Sequence, residues 1–193
     1  MTDMRIVRRE TYRRMPWKNG QGLTEEVAVM PEGGGGIDGF DWRLSIAHVD
    51  ADGPFSLFPG IDRTIALLDG EGLALDLPEG RAVALTPSGA PFAFPGDWAI
   101  ASRNLGGPTI DLNIMTRRGR CTHAMRRLTL APGESLAGPE TGWAVFNTPA
   151  TIELEDGEHV LARFDAIAFE TGGSLANRGA AAEILLIAID PAA

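Results

Sequence analysis

The strongest limit on the fold of this 193-residue chain is an apolar–polar alternation with a period of two. In the segment 42–47, apolar side chains occupy the even positions, whereas Arg43 and Ser45 occupy odd positions. Side chains two residues apart in a strand point to one face, so this pattern predicts a β-strand. No long stretch shows the 3.6-residue period of an amphipathic helix. Frequent turns are expected from 24 glycines and 13 prolines, and the chain is therefore predicted to be all-β.

A weak internal repeat indicates that the β fold is duplicated. A shift of 87 positions superimposes five identical residues: Ile65, Leu67, Asp69, Gly70 and Glu71 fall over Ile152, Leu154, Asp156, Gly157 and Glu158. Asp-Gly between two apolar segments is typical of a β-hairpin, so both copies predict one. We therefore expect two related barrels, the first over residues 1–120 and the second over residues 121–193.

Charge and cysteine content exclude several partners and locations. The chain carries 26 acidic against 17 basic residues, a net charge of −9, which argues against a dedicated nucleic-acid binder. Cys121 is the only cysteine, so no intramolecular disulfide is expected and a reducing cytoplasm fits. The sequence shows neither an apolar signal segment nor a run long enough to cross a membrane. We predict a cytoplasmic protein without membrane contact, and its state as monomer or homodimer is left open.

Familiar cofactor and metal motifs are absent from the sequence. A P-loop needs Gly-Lys-Ser/Thr, yet the only lysine is Lys18, which follows Trp17. No dinucleotide-binding glycine pattern opens a helix after a strand. The three histidines, His48, His123 and His159, have no His or Glu at ligand spacing. We therefore predict neither a cofactor nor a metal.

Two strands pair an apolar face with an unusual polar face. Arg43 and Ser45 share one face of their strand, and Asp111 and Asn113 share one face of another. Arg63 also lies beside a strand of buried type. Inside a barrel such a face can line a ligand cavity. The alternative is a buried Arg–Asp pair that only stabilises the barrel, and the residues alone leave both open.

Two glycine-rich segments point to irregular backbone. The stretch from Met15 to Gly22 places Trp17 and Asn19 beside two glycines, which allow close approach of a ligand or a tight connection. The glycine run from Gly33 to Gly36 is predicted to be a loop tip.

Four blocks containing these residues resemble the HutD/Ves family. They are Pro16-Trp17-Lys18-Asn19-Gly20, Phe40-Asp41-Trp42-Arg43-Leu44-Ser45-Ile46-Ala47, Gly53-Pro54-Phe55-Ser56-Leu57-Phe58-Pro59-Gly60-Ile61-Asp62-Arg63 and Asp111-Leu112-Asn113-Ile114-Met115. The order and the spacing of the blocks match the family pattern, and the resemblance covers roughly residues 5 to 120.

The resemblance implies a duplicated cupin-type barrel, or bicupin. Family members are linked to bacterial histidine utilisation, with a suggested binding or regulatory role toward an intermediate such as formylglutamate, and Ves-type relatives are linked to environmental stress. Typical metal-binding cupins place two histidines and a glutamate after a glycine. Here the corresponding positions after Gly53 hold Pro59, Ile61 and Ile65, which agrees with a metal-free protein.

The leading hypothesis is a metal-free protein whose first barrel binds a small anionic metabolite. Arg43 and Arg63 clamp a carboxylate through charge-assisted hydrogen bonds. The other members of the expected site orient the ligand, hold an arginine or wall the pocket; they are Ser45, Asn19, Asn113, Asp111 and Trp17. One alternative is an isomerase or lyase with Asp111 or His48 as acid/base, and the catalytic residues stay unknown. The other is an interaction module that docks a partner by its apolar faces.

Overall fold

The structure, a computed structural model, describes residues 4–33 and 39–192, and it confirms an all-β fold of antiparallel sheets. The strands are β1 (Met4–Val7), β2 (Arg13–Pro16), β3 (Gly22–Met30), β4 (Trp42–Val49), β5 (Gly53–Pro54), β6 (Ile61–Asp69), β7 (Leu73–Asp76), β8 (Ala82–Leu85), β9 (Phe92–Pro95), β10 (Ala101–Asn104), β11 (Thr109–Arg117), β12 (Cys121–Leu130), β13 (Ser135–Ala137), β14 (Gly142–Phe146), β15 (Ala150–Leu154), β16 (Gly157–Leu161), β17 (Ala166–Phe169), β18 (Ser174–Asn177) and β19 (Ala182–Pro191).

Helix is confined, in the described ranges, to two single 3-10 turns at Arg9–Thr11 and Pro78–Gly80. Neither is long or apolar enough to cross a bilayer. The glycine run predicted to form a loop tip continues past Gly33 into residues that lie outside the described part of the chain.

The chain divides into two units by its internal contacts. The C-terminal unit combines residues up to Tyr12 with His123–Asp190, and the N-terminal unit combines Arg13–Thr122 with the residues from Pro191. The first strand joins the C-terminal unit because β1 pairs antiparallel with β17, with Met4 opposite Phe169. The sequence-based division into barrels at 1–120 and 121–193 stays a prediction.

Two sheets form the N-terminal unit. One has six strands in the order β2-β3-β4-β11-β6-β9, and the other has four in the order β5-β10-β7-β8. A single apolar cluster contains residues of both sheets: Ile65, Leu67, Leu73, Leu75, Leu85, Phe94 and Ile100. The face of the six-stranded sheet that carries Ile65 and Leu67 is therefore the inner face of this unit.

The C-terminal unit is built in the same manner but has an apolar interior. Its sheets have the orders β1-β17-β14-β19-β12 and β13-β18-β15-β16. The core is a cluster of buried residues from both sheets: Leu130, Ala144, Phe146, Ala150, Ile152, Leu161, Ile167, Phe169, Leu175, Ala182, Ile184 and Leu186. Burial of such side chains contributes about 1.5–3 kcal/mol for each large one, so this core is a main source of the stability of the unit.

The predicted hairpin at Asp69-Gly70 is wrong, whereas the one at Asp156-Gly157 is correct. Strand β15 pairs with β16 across the second turn. Strand β6, in contrast, belongs to the six-stranded sheet and β7 to the four-stranded sheet, so the first turn carries the chain between sheets. Gly70 permits this crossing because a Cβ there would lie 2.9 Å from the carbonyl oxygen of Pro108.

The duplicated barrel itself stays a prediction. The internal repeat superimposes a crossing between sheets on a hairpin, so it does not support duplication. None of the four sheets formed by the described residues closes on itself into a barrel.

Asp165 should be essential for the stability of the C-terminal unit. Its buried carboxylate accepts hydrogen bonds from Arg8 Nη1 at 2.8 Å, Arg9 N at 2.8 Å and Ala162 N at 3.0 Å. Replacement by alanine removes these three hydrogen bonds, each of which contributes about 0.5–1.5 kcal/mol. We expect Asp165→Ala to lower the free energy of unfolding in urea by roughly 2–4 kcal/mol. The control Asp156→Ala removes an exposed pair with His159 and a local backbone hydrogen bond, and it should change the urea midpoint much less. Equal effects of the two substitutions would contradict the prediction.

Candidate functional site

The candidate site lies on the inner face of the six-stranded sheet, where β11 pairs with β4 and β6. Met115 is directly opposite Arg43 on one side and Arg63 on the other. Two residues along β11, Asn113 is opposite Ser45. Asp111 follows at the next inner position, opposite Leu67 of the apolar cluster. Opposed residues share a face in an antiparallel ladder, so five predicted site residues lie together: Arg43, Ser45, Arg63, Asp111 and Asn113.

Arg63 is a buried cation without a hydrogen-bonded partner among the described residues. Only 6% of the residue is exposed, and its Nε is buried with no acceptor. The guanidinium carbon lies 5.0–5.2 Å from the ring centroids of Phe55, Phe58 and Phe94. Burial lowers the pKa of Arg63 to about 10, while the charge of Asp111 raises it and that of Arg43 lowers it. The group therefore stays charged at neutral pH at an electrostatic cost.

Two buried oxygen atoms near this cation also have no hydrogen-bond donor among the described residues. They are Oδ1 of Asp111 and Oδ1 of Asn113, in residues that are 2% and 5% exposed. Burial raises the pKa of Asp111 to about 7, and the charge of Arg63 offsets part of the increase. Each unpartnered buried polar atom costs about 1–3 kcal/mol, so the face is poised to bind a polar group.

Arg43 is held by a residue that the sequence reasoning missed. Its Nε donates to Glu26 Oε2 at 2.7 Å, and both side chains are largely buried. Asp111 was expected to hold an arginine, but no ion pair or hydrogen bond between described residues joins it to Arg43 or Arg63. Glu26 was missed because a bulge between Glu26 and Ala28 interrupts the alternation of β3.

Trp17 and Asn19 separate in the structure. The indole Nε1 of Trp17 donates to Thr24 Oγ1 at 2.8 Å, and Thr24 lies opposite Ala47 on the inner face. The Trp17 ring covers Gly22, where a Cβ would approach it to 2.8 Å, so the ring borders the site. Asn19, in contrast, is exposed in the turn, and its Oδ1 accepts from the N–H of Gln21. The expectation that Asn19 joins the polar face is not met, because the turn uses its amide.

His48 is not part of this site. It occupies an even position of β4 and therefore lies on the face opposite Arg43 and Ser45. Its Nε2 lies 3.7 Å from Oε2 of the buried Glu25. The structure therefore separates His48 from the polar face, and its alternative acid/base role stays a prediction.

The donor set on the inner face does not fit a metal. Its two carboxylates, Glu26 and Asp111, lie beside two guanidinium groups that would repel a cation, and Glu26 already accepts a hydrogen bond from Arg43. Within residues 4–33 and 39–192, no three His, Cys, Asp or Glu side chains are grouped as metal ligands would be.

The fold and the site together define a class: an all-β protein in which one unit has an apolar core and the other a buried polar face that carries two arginines. A model of the HutD family matches residues 9–187, and the chain belongs to the HutD family.

Curated relatives match the chain over part of their length. The "Uncharacterized 21.2 kDa protein in hutC 3'region" of Pseudomonas putida is 42% identical over 115 residues, 60% of this chain and 59% of the relative. "Protein Ves" of Citrobacter koseri is 41% identical over 118 residues, 59% of this chain and 60% of the relative. The matched segments thus span about three fifths of these relatives.

Solved structures match almost the whole chain. A conserved protein of unknown function from Pseudomonas aeruginosa PAO1 has a TM-score of 0.87 at 32% identity, covering 97% of this chain and 99% of that one. HutD from Pseudomonas fluorescens SBW25 has a TM-score of 0.79 at 27% identity, covering 99% and 100%. Ylba from E. coli, with a TM-score of 0.71 at 12% identity over 98% and 91%, shows the likeness of the fold alone. The fold is cupin-like.

Asp111 should make the stability of the protein depend on pH. Its pKa is about 7 in the folded protein and near 3.8 when unfolded, so between these values only the folded form keeps the proton. Its contribution to stability is therefore lost as the pH rises from about 4 to 7. We expect the free energy of unfolding of Asp111→Asn, relative to that of the parent, to rise by roughly 2–3 kcal/mol from pH 5 to pH 8. Urea unfolding at both pH values measures this difference.

The matched control for this measurement is Asp76→Asn. The Asp76 side chain is 45% exposed, and its hydrogen bond with Arg103 lowers the pKa of the carboxyl below 3.8. The change in the free energy of unfolding that Asp76→Asn causes should be the same at pH 5 and pH 8. A difference between parent and Asp111→Asn that does not change with pH would contradict the shifted pKa.

Proposed function

We propose that the N-terminal unit binds a small carboxylate metabolite at the inner polar face, without a metal or other cofactor. The observation that carries this proposal is the buried guanidinium of Arg63, whose Nε has no hydrogen-bond acceptor and whose charge Asp111 offsets only in part. A buried charge is normally paired with an opposite charge, because removing an unpaired ion from water costs on the order of several kcal/mol. A ligand carboxylate would supply the missing negative charge and accept two parallel hydrogen bonds from the planar fork.

Arg43 would support this interaction from the same level of the sheet. It lies opposite Met115 as Arg63 does, two strands away, so the two cations border one region. Glu26 already accepts from Nε of Arg43, which fixes the side chain and offsets part of its charge. Arg63 is therefore the principal anchor, and Arg43 is the secondary one.

The two unpartnered oxygens add a second requirement to the ligand. Asn113 Oδ1 and Asp111 Oδ1 are acceptors that need an N–H or O–H donor. A ligand that carries both a carboxylate and an N–H group satisfies the cation and the acceptors together. N-formylglutamate has this combination, since its formamide N–H is adjacent to a carboxylate. Burial raises the pKa of Asp111 to about 7, which permits a neutral Asp111 that does not repel the ligand carboxylate.

The family suggests the setting for this binding. HutD of Pseudomonas fluorescens and a protein from the hutC 3' region of Pseudomonas putida are similar to this chain. We therefore propose an accessory or regulatory role in histidine utilisation, in which the chain responds to the level of a carboxylated intermediate in the cytoplasm.

An enzyme acting on a carboxylated substrate is the second candidate. The observation that favours it is Asp111, a buried carboxyl with a pKa of about 7 that could exchange a proton near neutrality. Turnover of the bound ligand, absent in Asp111→Asn, would favour this reading over a binding protein. The interaction-module alternative is less well supported, because it requires no buried polar face.

Replacement of Arg63 by lysine should weaken carboxylate binding although the charge is kept. An ammonium group cannot reproduce the planar fork, and loss of one charged hydrogen bond costs roughly 1.5–3 kcal/mol. We expect the dissociation constant for N-formylglutamate to rise about 10- to 150-fold in Arg63→Lys, measured by calorimetric titration. The control Arg103→Lys alters an exposed arginine bound to Asp76 and should leave the affinity unchanged. A lowered melting temperature with unchanged affinity in Arg63→Lys would assign Arg63 to stability alone.

Glutarate should bind more weakly than N-formylglutamate, because it has the two carboxylates but no N–H group. A site with buried acceptors rejects an analogue that leaves them unpaired. Asn113→Leu removes one acceptor and should reduce the difference in affinity between N-formylglutamate and glutarate. The control Asn104→Leu, on the four-stranded sheet, should leave this difference in affinity unchanged. Equal affinities of the parent for both ligands would contradict a role for the acceptors.

A further inference from the structure

Arg63 is surrounded by three phenyl rings, two from the loop between β5 and β6 and one from β9. Phe94 lies in β9, directly opposite Arg63 of β6. Phe55 follows β5, and Phe58 lies in the loop that leads into β6. The guanidinium carbon is 5.1 Å from the Phe55 centroid, 5.2 Å from that of Phe58 and 5.0 Å from that of Phe94. Together, Phe55, Phe58 and Phe94 form what we call the aromatic cage.

We propose that the aromatic cage positions Arg63 by cation–π contacts in place of a hydrogen-bonded carboxylate, and that it thereby selects a flat carboxylate over a tetrahedral anion. Phe55, Phe58 and Phe94 are thus positioning residues. The selectivity rests on the proposed carboxylate function, whereas the support of Arg63 by the rings does not.

A carboxylate and a phenyl ring contact different parts of a guanidinium group. A carboxylate partner accepts N–H bonds at the edge of the group and neutralises it, as Glu26 does for Arg43. A phenyl ring contacts the cation through its π face and accepts no conventional hydrogen bond. The cage therefore fixes the guanidinium and leaves its N–H edge and its charge for an incoming anion.

The cage also limits the kind of anion. A carboxylate has two oxygens, and the planar fork can satisfy both in its own plane. A phosphate has further charged oxygens outside that plane, and phenyl rings offer no donors to them. Leaving those oxygens desolvated and unpaired is costly, so phosphate should be disfavoured.

The loop of the cage is fixed before any ligand arrives. The N–H of Phe55 donates to the carbonyl of Ile100 at 2.8 Å, and that of Phe58 donates to the carbonyl of Gly96 at 2.8 Å. The N–H of Gly60 donates to Asp97 Oδ1 at 3.2 Å. Since both rings sit on anchored backbone, binding need not order them, which lowers its entropic cost.

A double-mutant cycle on the protein without ligand tests the cage itself. Urea unfolding is measured for Phe58→Leu in the parent and in an Arg63→Met background. A cation–π contact predicts that Phe58→Leu lowers the folding equilibrium constant about 2- to 30-fold more in the parent than in Arg63→Met. Equal effects in both backgrounds would overturn the proposal.

Phe92→Leu is the matched control for the cycle. Phe92 packs against the same apolar cluster and stacks on Phe94 with centroids 5.8 Å apart. Among the described residues, its ring makes no cation–π contact with Arg63. Its effect should be the same in both backgrounds, within about twofold. Coupling of Arg63 to Phe92 as strong as to Phe58 would also overturn the proposal, because it would indicate general packing.

Calorimetric titration with N-formylglutamate and with inorganic phosphate tests the selectivity. The parent should bind N-formylglutamate more tightly, and Phe58→Leu should reduce the ratio of the two affinities at least threefold. Phe58→Tyr keeps a ring face and should retain the parent ratio, as should Phe92→Leu. An unchanged ratio in Phe58→Leu would overturn the selectivity. If the parent binds no carboxylate while the cycle shows coupling, the proposed function fails, and the ring support of Arg63 stands.

Discussion

The ladder that joins β11 to β4 and β6 is the constraint on which the site depends. Its hydrogen bonds place Met115 between Arg43 and Arg63, and Asn113 beside Ser45. A shift of one residue would move every polar side chain of β11 to the opposite face, where Leu112 and Ile114 are now buried. The pairing of the apolar face therefore also fixes the polar face, and one register serves both the core and the candidate site.

The two units use similar sheets for different interiors. In the C-terminal unit the inner positions carry apolar residues such as Phe146, Ile167 and Ile184, which fill the space between the sheets. In the N-terminal unit, the apolar cluster occupies only part of the inner face, and Arg63, Asp111 and Asn113 occupy the adjoining part. Buried polar atoms without partners reduce stability. A ligand that pairs with these atoms would therefore stabilise the N-terminal unit.

Some residues of the candidate site could be predicted from the apolar–polar alternation of the sequence, and others could not. Arg43 with Ser45, and Asp111 with Asn113, follow from the two-residue period of single strands, and the structure places both pairs on one face. Asn19 was wrongly grouped with them, because its amide is used inside a turn. Glu26 escaped notice because a bulge breaks the period of β3. Local pattern thus predicts the face of a side chain only where the strand is regular.

The sequence by itself determined the all-β class, the faces of the regular strands and, through four short blocks, the HutD family. Only the tertiary structure decided that Asp69-Gly70 crosses between sheets and that Arg63 lies among three phenyl rings, without a hydrogen bond to Asp111 in the described part of the chain. The physical reason is the range of the interactions. Alternation is set by neighbours in the chain, whereas the partner of a buried charge is set by strands distant in sequence that pairing brings together.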